Sequence, residues 1–247
     1  MMTRRPGGWK TRRPYIVWSY DYSHASAGPK ALHRLCHELN EAGQEAYIGP
    51  GWAKNPEWNT PAWLGALPPE EWIAVYPEVV SGNPWQVARV ARWALNVPGL
   101  LAGDKVYDSA EMVFTWDRVY LDGVPVLQTP TVDLDIYADR HQPRSGALTF
   151  ANKGQPAVRI SGATEISLGM RLDRYALADA LNHAEILYSL DDHTGMIQLA
   201  RLCGCPVVLV TTGERLEPAG FREEYLALAA AFPAQLAEFI RITQAVA

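Results

Sequence analysis

The segment Ser189-Leu190-Asp191-Asp192-His193-Thr194-Gly195 has the composition of a ligand-binding turn. It follows the apolar run at 185–188 and precedes residues 195–202, whose apolar positions recur at helical spacing. It therefore falls at the carboxyl end of a strand and the amino end of a helix. Free backbone N–H groups and the helix dipole favour an anion there, such as a diphosphate. Thr194 suits either a helix cap or a bond to a phosphate oxygen. Asp191 and Asp192 repel phosphate and are better matched to sugar or ribose hydroxyls. A plain structural cap by Asp192 or Thr194 uses the same residues.

Other groups offer complementary chemistry. Lys153, in the loop Phe150-Ala-Asn-Lys-Gly154, can neutralise a leaving diphosphate, with Arg159 and Arg171 to assist. The loop Asp21-Tyr-Ser-His24 supplies candidate bases, Asp21 and His24, for taking a proton from a hydroxyl. Asp21 and Ser23 are equally suited to bonding their own loop backbone. Trp52, Trp58 and Trp63 sit in a Pro/Gly-rich loop and can stack on sugars or bases, whereas Trp72, Trp85 and Trp93 fit core positions. His33 and His37 are four apart on a helix, as zinc ligands can be, but no third ligand accompanies them. Asp133-Leu-Asp135 lies outside a strand context and reads as incidental, and no Gly-x-Ser-x-Gly elbow is present. No metal site is expected.

These groups need elements to hold them. Strands are expected at 15–20, 46–48, 72–76, 111–116 and 124–127, with helices at 31–39 and 85–94. Residues 128–146 carry Pro, Asp and Arg without helical period and read as a linker. The pattern restarts with strands at 147–150, 158–160, 185–188 and 206–210. Helices are expected at 172–183, 195–202, 221–231 and 233–245, with Tyr175, Leu177, Ala178 and Leu181 on the inner face of the first. The fold class is α/β: two Rossmann-like lobes, 14–127 and 147–247, with a cleft between them.

Composition agrees. The chain has 247 residues, 48% apolar and 20% charged, in the globular range. Its three cysteines are too few for a disulfide framework and suit a reducing compartment. No apolar run approaches a membrane span and no signal-peptide core precedes residue 30, so a cytoplasmic protein is expected. The net charge is −5, yet Arg4, Arg5, Lys10, Arg12 and Arg13 crowd the first 13 residues. A basic arm on an acidic body either grips phosphates locally or is simply solvated.

The stretch 185–210 resembles the donor-binding lobe of GT-B-fold glycosyltransferases. That family reads strand, Ser, acidic turn, helix, then a small residue before Gly-x-Pro-Val-Val, as Cys203-Gly-Cys-Pro-Val-Val208 does here. Ser26-Ala-Gly28 with Leu32-His-Arg-Leu35 resembles the family's glycine-containing loop after the first strand. Phe221-Arg-Glu-Glu-Tyr225 and residues 239–244 resemble its carboxy-terminal region, and the resemblance covers most of 15–245. It implies transfer of a sugar from a nucleoside diphosphate, expected to be a UDP-sugar, without metal or further cofactor. The donor would bind the second lobe, through Lys153, Arg159, Arg171 and the 189–195 turn. The acceptor would bind the first, through Ser26, Gly28, Arg12, Arg13, Trp52 and Trp58. One acceptor so implied is 5-hydroxymethylcytosine in DNA, as for phage-type enzymes acting in the host cytoplasm; another is a glycan or small-molecule hydroxyl. Leu199 stands where retaining members carry a second carboxylate, and Gln198 beside it is expected to point elsewhere. A non-catalytic sugar-nucleotide binder is the rival reading.

Overall fold

A computed structural model describes residues 12–151 and 160–245. The first half builds a parallel sheet of five strands: β1 (Tyr15–Ser19), β2 (Ala46–Pro50), β3 (Ile73–Pro77), β4 (Arg89–Ala94) and β5 (Met112–Thr115), in the order β2-β1-β3-β4-β5. Helix α1 (Ala27–Glu41) connects β1 to β2 and buries Ala31, Leu32, Leu35, Cys36 and Leu39, the stripe expected from their spacing. Asn40 ties its end to β2, because its side chain bonds both N–H and C=O of Ala46 at 2.9 Å.

The second half repeats the plan. Strands β6 (Ala147–Phe150), β7 (Ala163–Glu165), β8 (Ile186–Ser189), β9 (Val207–Leu209) and β10 (Arg215–Leu216) pair in the order β10-β9-β8-β6-β7, with only β10 antiparallel. Helices α2 (Leu168–Leu172), α3 (Arg174–His183) and α4 (Gly195–Leu202) accompany them. The chain is therefore α/β with two mostly parallel sheets. In each sheet the strand order reverses beside the first strand laid down, at β1/β3 and at β6/β8. Ligands of open α/β sheets gather beyond the carboxyl ends of the strands at such points.

Several expectations need correction. Residues 85–94 do not form a helix: Trp85 lies in a turn and 89–94 are β4. This strand is flanked by β3 and β5 and buried on both faces, so it lacks the alternation that marks a strand by sequence. Even its Arg92 is buried, held by Glu111 at 2.8 Å and by the carbonyls of Val80 and Gly82. Residues 124–127 contribute a single bridge, Thr115 to Val126, instead of a strand. Residues 158 and 159 of another expected strand lie outside the described residues, and β6 pairs with 163–165. The helix expected at 172–183 is divided at Asp173, whose carboxylate caps α3 by accepting from Tyr175 and Ala176 N–H. Leu177, Ala178 and Leu181 of α3 are buried, but Tyr175 is exposed.

The two expected terminal helices are one, α5 (Phe221–Gln244), which runs through Pro233. Phe221 and Tyr225 pack into the core of the second sheet, while Phe232, Leu236 and Phe239 pack into the core of the first. The connecting segment 128–146 is not a free tether either, since Ile136 and Tyr137 belong to the second core.

Candidate functional site

The carboxyl ends of β1, β3, β6 and the β8–α4 turn border one cavity of about 370 Å³. That volume suits one small ligand. Helices α1 and α4 enter it end-on from opposite lobes. A Cβ added to Gly195 would lie 3.5 Å from the Ala27 Cβ, so the two amino termini abut. A Cβ added to Gly28 would meet nothing within 4 Å, because that face of α1 opens onto the cavity. Each helix terminus carries roughly half a positive charge. The α1 first turn holds no acidic residue, and its N-cap Ser26 makes no side-chain cap bond.

The 189–195 turn divides into a scaffold and a lining. Ser189 is buried and its hydroxyl donates to the Asp191 carbonyl at 2.7 Å. The Asp191 carboxylate accepts from His193 N–H at 2.9 Å, and Asp192 accepts from the Thr211 hydroxyl. The aspartates thus shape the turn, and neither borders the cavity. His193, Thr194 and Gly195 line the cavity. The Thr194 hydroxyl caps α4 through Met196 N–H at 3.3 Å. The His193 ring meets Tyr120 of the other lobe edge-on, centroids 5.6 Å apart. Burial pushes the Tyr120 hydroxyl up to about 12, with Asp117 and Asp191 adding to the rise.

Arg171 supplies a cation. It lines the cavity, its guanidinium lies 5.5 Å over the Phe150 ring, and its buried Nε has no partner among the described residues. Lys153 and Arg159 lie outside the described residues. Gln198 is a correction: it lines the cavity beside buried Leu199 rather than pointing elsewhere, so an amide is present where the second carboxylate is not.

The acid–base candidates separate. Asp21 does not border the cavity. Its carboxylate accepts from Trp52 N–H at 2.6 Å and Ala53 N–H at 2.9 Å, bonds that hold it below the usual carboxylate range. His24 does border the cavity. Burial, then the nearby Arg174 and Lys30, disfavour its charged form. Asn55 donates to the Tyr22 hydroxyl at 3.3 Å, and the same hydroxyl shares a hydrogen bond with His24 Nδ1 at 3.2 Å.

Sequence reasoning missed Glu78. It follows β3 directly and lines the cavity, and only 5% of its surface is exposed. Its Oε2 accepts from Leu95 N–H at 2.9 Å. Burial raises its carboxyl above the ordinary value, against the opposing pull of the Leu95, Glu78 and Asn96 N–H groups. Gly103 packs against it at positive φ, where any Cβ would lie 1.8 Å from the Glu78 carbonyl oxygen. A carboxylate at the carboxyl end of a buried parallel strand was the available signal.

The expected acceptor groups scatter. Ser26 and Gly28 border the cavity. Arg12 and Arg13 do not: they bond the carbonyls of Gly43 and Glu71 at the amino end of β1. The five-residue β1 separates them from the cleft by roughly 16 Å at the usual rise per residue. Trp52 is 69% exposed and outside the cavity. Trp58 instead packs edge-on to Tyr22 and parallel to His37, in the wall of a second hollow. His33 and His37 bond the backbones of Tyr20 and Asn59, and Asp133 pairs with Arg174. Among the described residues no three His, Cys, Asp or Glu side chains cluster as metal ligands would.

No protein-family model and no curated protein matches this chain.

Proposed function

We propose that the chain is a glycosyltransferase of GT-B arrangement. It moves a sugar from a nucleoside diphosphate, with uridine diphosphate the expected carrier, to the hydroxyl of a small acceptor. One observation carries the reading: two mostly parallel sheets direct the carboxyl ends of their parallel strands, and two helices their amino ends, onto one cavity. The second lobe offers the cationic wall a leaving diphosphate needs, from Arg171 and the α4 terminus. The first offers Glu78 as base. The acceptor oxygen attacks the anomeric carbon while its proton passes to Glu78. The bond to the diphosphate breaks, and its electron pair leaves on the phosphate oxygen. Gln198 is placed to bond a donor hydroxyl. The positions of Arg12, Arg13 and Trp52 away from the cavity favour a small acceptor over hydroxymethylated DNA.

Nucleotide release from uridine, guanosine and thymidine diphosphate sugars tests this, with small hydroxyl acceptors in one arm and hydroxymethylcytosine DNA in the other. One donor is expected to release its nucleotide faster when a small acceptor is added. Glu78→Gln should lower kcat by roughly 10²–10⁴-fold while nucleotide still binds. Tight nucleotide binding with no release under any condition would assign a non-catalytic binder. Release dependent on the modified DNA alone would assign that acceptor.

A further inference from the structure

A second cavity of about 190 Å³ opens beside the cleft and shares His24, Lys30, Thr131 and Val132 with it as a common wall. It is below the size that holds a whole small ligand, so it fits one functional group of a ligand that extends into the cleft. Its lining is polar and cationic: Lys30, Arg34 and Arg174 face it, against Glu57 and Asp133.

These cations are incompletely paired. The Lys30 amine makes no hydrogen bond or ion pair among the described residues, and burial pushes it down to about 8, with repulsion from Arg174 adding to the shift. Arg34 bonds Glu38 at 2.6 Å through Nη2, but its Nε is buried without a partner among the described residues. Arg174 reaches Asp133 only at 3.7 Å. Keeping the Lys30 amine charged in this desolvated wall is costly, and a bound anion offsets that cost and its repulsion from Arg174. Trp58, fixed by Tyr22, by His37 and by the Arg34 guanidinium 5.4 Å over its ring, closes the outer wall.

We propose that this side cavity binds one phosphate or carboxylate group of the acceptor, so that the substrate glycosylated in the cleft is a small acidic compound. The anion subsite stands on the cavity and its cations alone. Its assignment to the acceptor rests on the glycosyltransferase reading above.

The test titrates inorganic phosphate, and separately glycerol 3-phosphate, into the wild type, Lys30→Met and Arg34→Met by calorimetry, with melting curves to verify folding. Arg34 borders only the side cavity, which places any loss there and not in the cleft. Phosphate is expected to bind the wild type and to lose at least tenfold in affinity in both variants. Absence of binding to the wild type, or unchanged affinity in either folded variant, overturns the proposal. Phosphate binding that depends on Lys30 and Arg34 in a protein that turns over no sugar nucleotide keeps the subsite and rejects the transferase reading. A hydroxymethylcytosine oligonucleotide that displaces phosphate when glycerol 3-phosphate does not would overturn the small-compound assignment.

Discussion

Glu78 and Asp21 are both carboxylates that follow a strand, and their environments give them opposite tasks. Asp21 is exposed and accepts two loop N–H groups on its Oδ1, so it fixes the entry of the 52–53 segment. Glu78 is buried in the cavity wall with a raised carboxyl, the usual condition of a working acid–base group. Nothing in the sequence distinguishes them, because the difference lies in the Leu95 and Gly103 segments that fold over Glu78 from a distance along the chain. That His24, Thr194 and Gly195 border the cavity was legible, since loop position and helix capping are local properties. A pH dependence follows from the direction of the Glu78 shift. If the chain is the proposed transferase, the ionised form accepts the proton, so the rate should fall as pH drops through the Glu78 value, about tenfold per unit below it. That limb should lie above the ordinary glutamate value of about 4.3. A kcat/KM profile measured from acid to neutral pH checks this, and Glu78→Gln should remove the limb together with most of the rate.

At the scale of elements, the sequence discloses those whose pattern is local. The α1 stripe and the strand-turn-helix run through 186–202 are found where their spacing puts them. Strand β4 is hidden by its central place, since burial on both faces replaces alternation with a continuous apolar run around a paired arginine. Helix α5 is hidden by Pro233, which reads as a boundary yet lies inside a helix held from both ends by different cores. Phe239 is the clearest anchor of its second half: fully buried, with ring centroids 4.7 Å from Phe114 and 6.0 Å from Tyr15. Phe239→Ala should cost about 3–5 kcal/mol in urea unfolding. Leu226→Ala, on the exposed side of the same helix, should stay within about 0.5 kcal/mol. Equal effects at the two sites would show that α5 does not dock as described.

For the whole molecule, the position of charge decides more than its sum. The net charge of −5 and the basic start of the chain together suggest an acidic body with a phosphate-gripping arm. In the folded chain Arg12 and Arg13 are turned to the carbonyls of Gly43 and Glu71 at the amino edge of the first sheet. The cations that face the cavities form two sequence pairs, Lys30 and Arg34 four apart on α1 and Arg171 and Arg174 three apart, which converge only when the two sheets meet. That convergence was not legible, because nothing in the sequence joins the two pairs. Double replacement of Arg12 and Arg13 by alanine should therefore leave acceptor KM within about twofold, and its only cost should be in stability. If both instead met nucleic-acid phosphates, the replacement would flatten the salt dependence of DNA binding by a slope of about 1.8, at roughly 0.9 per lost contact. Parallel measurements of acceptor KM and of duplex affinity over a series of salt concentrations separate the two cases. A flattened slope with raised KM would return the arm to the acceptor site and the DNA acceptor with it. An unchanged KM would leave recognition to the cations gathered at the cleft.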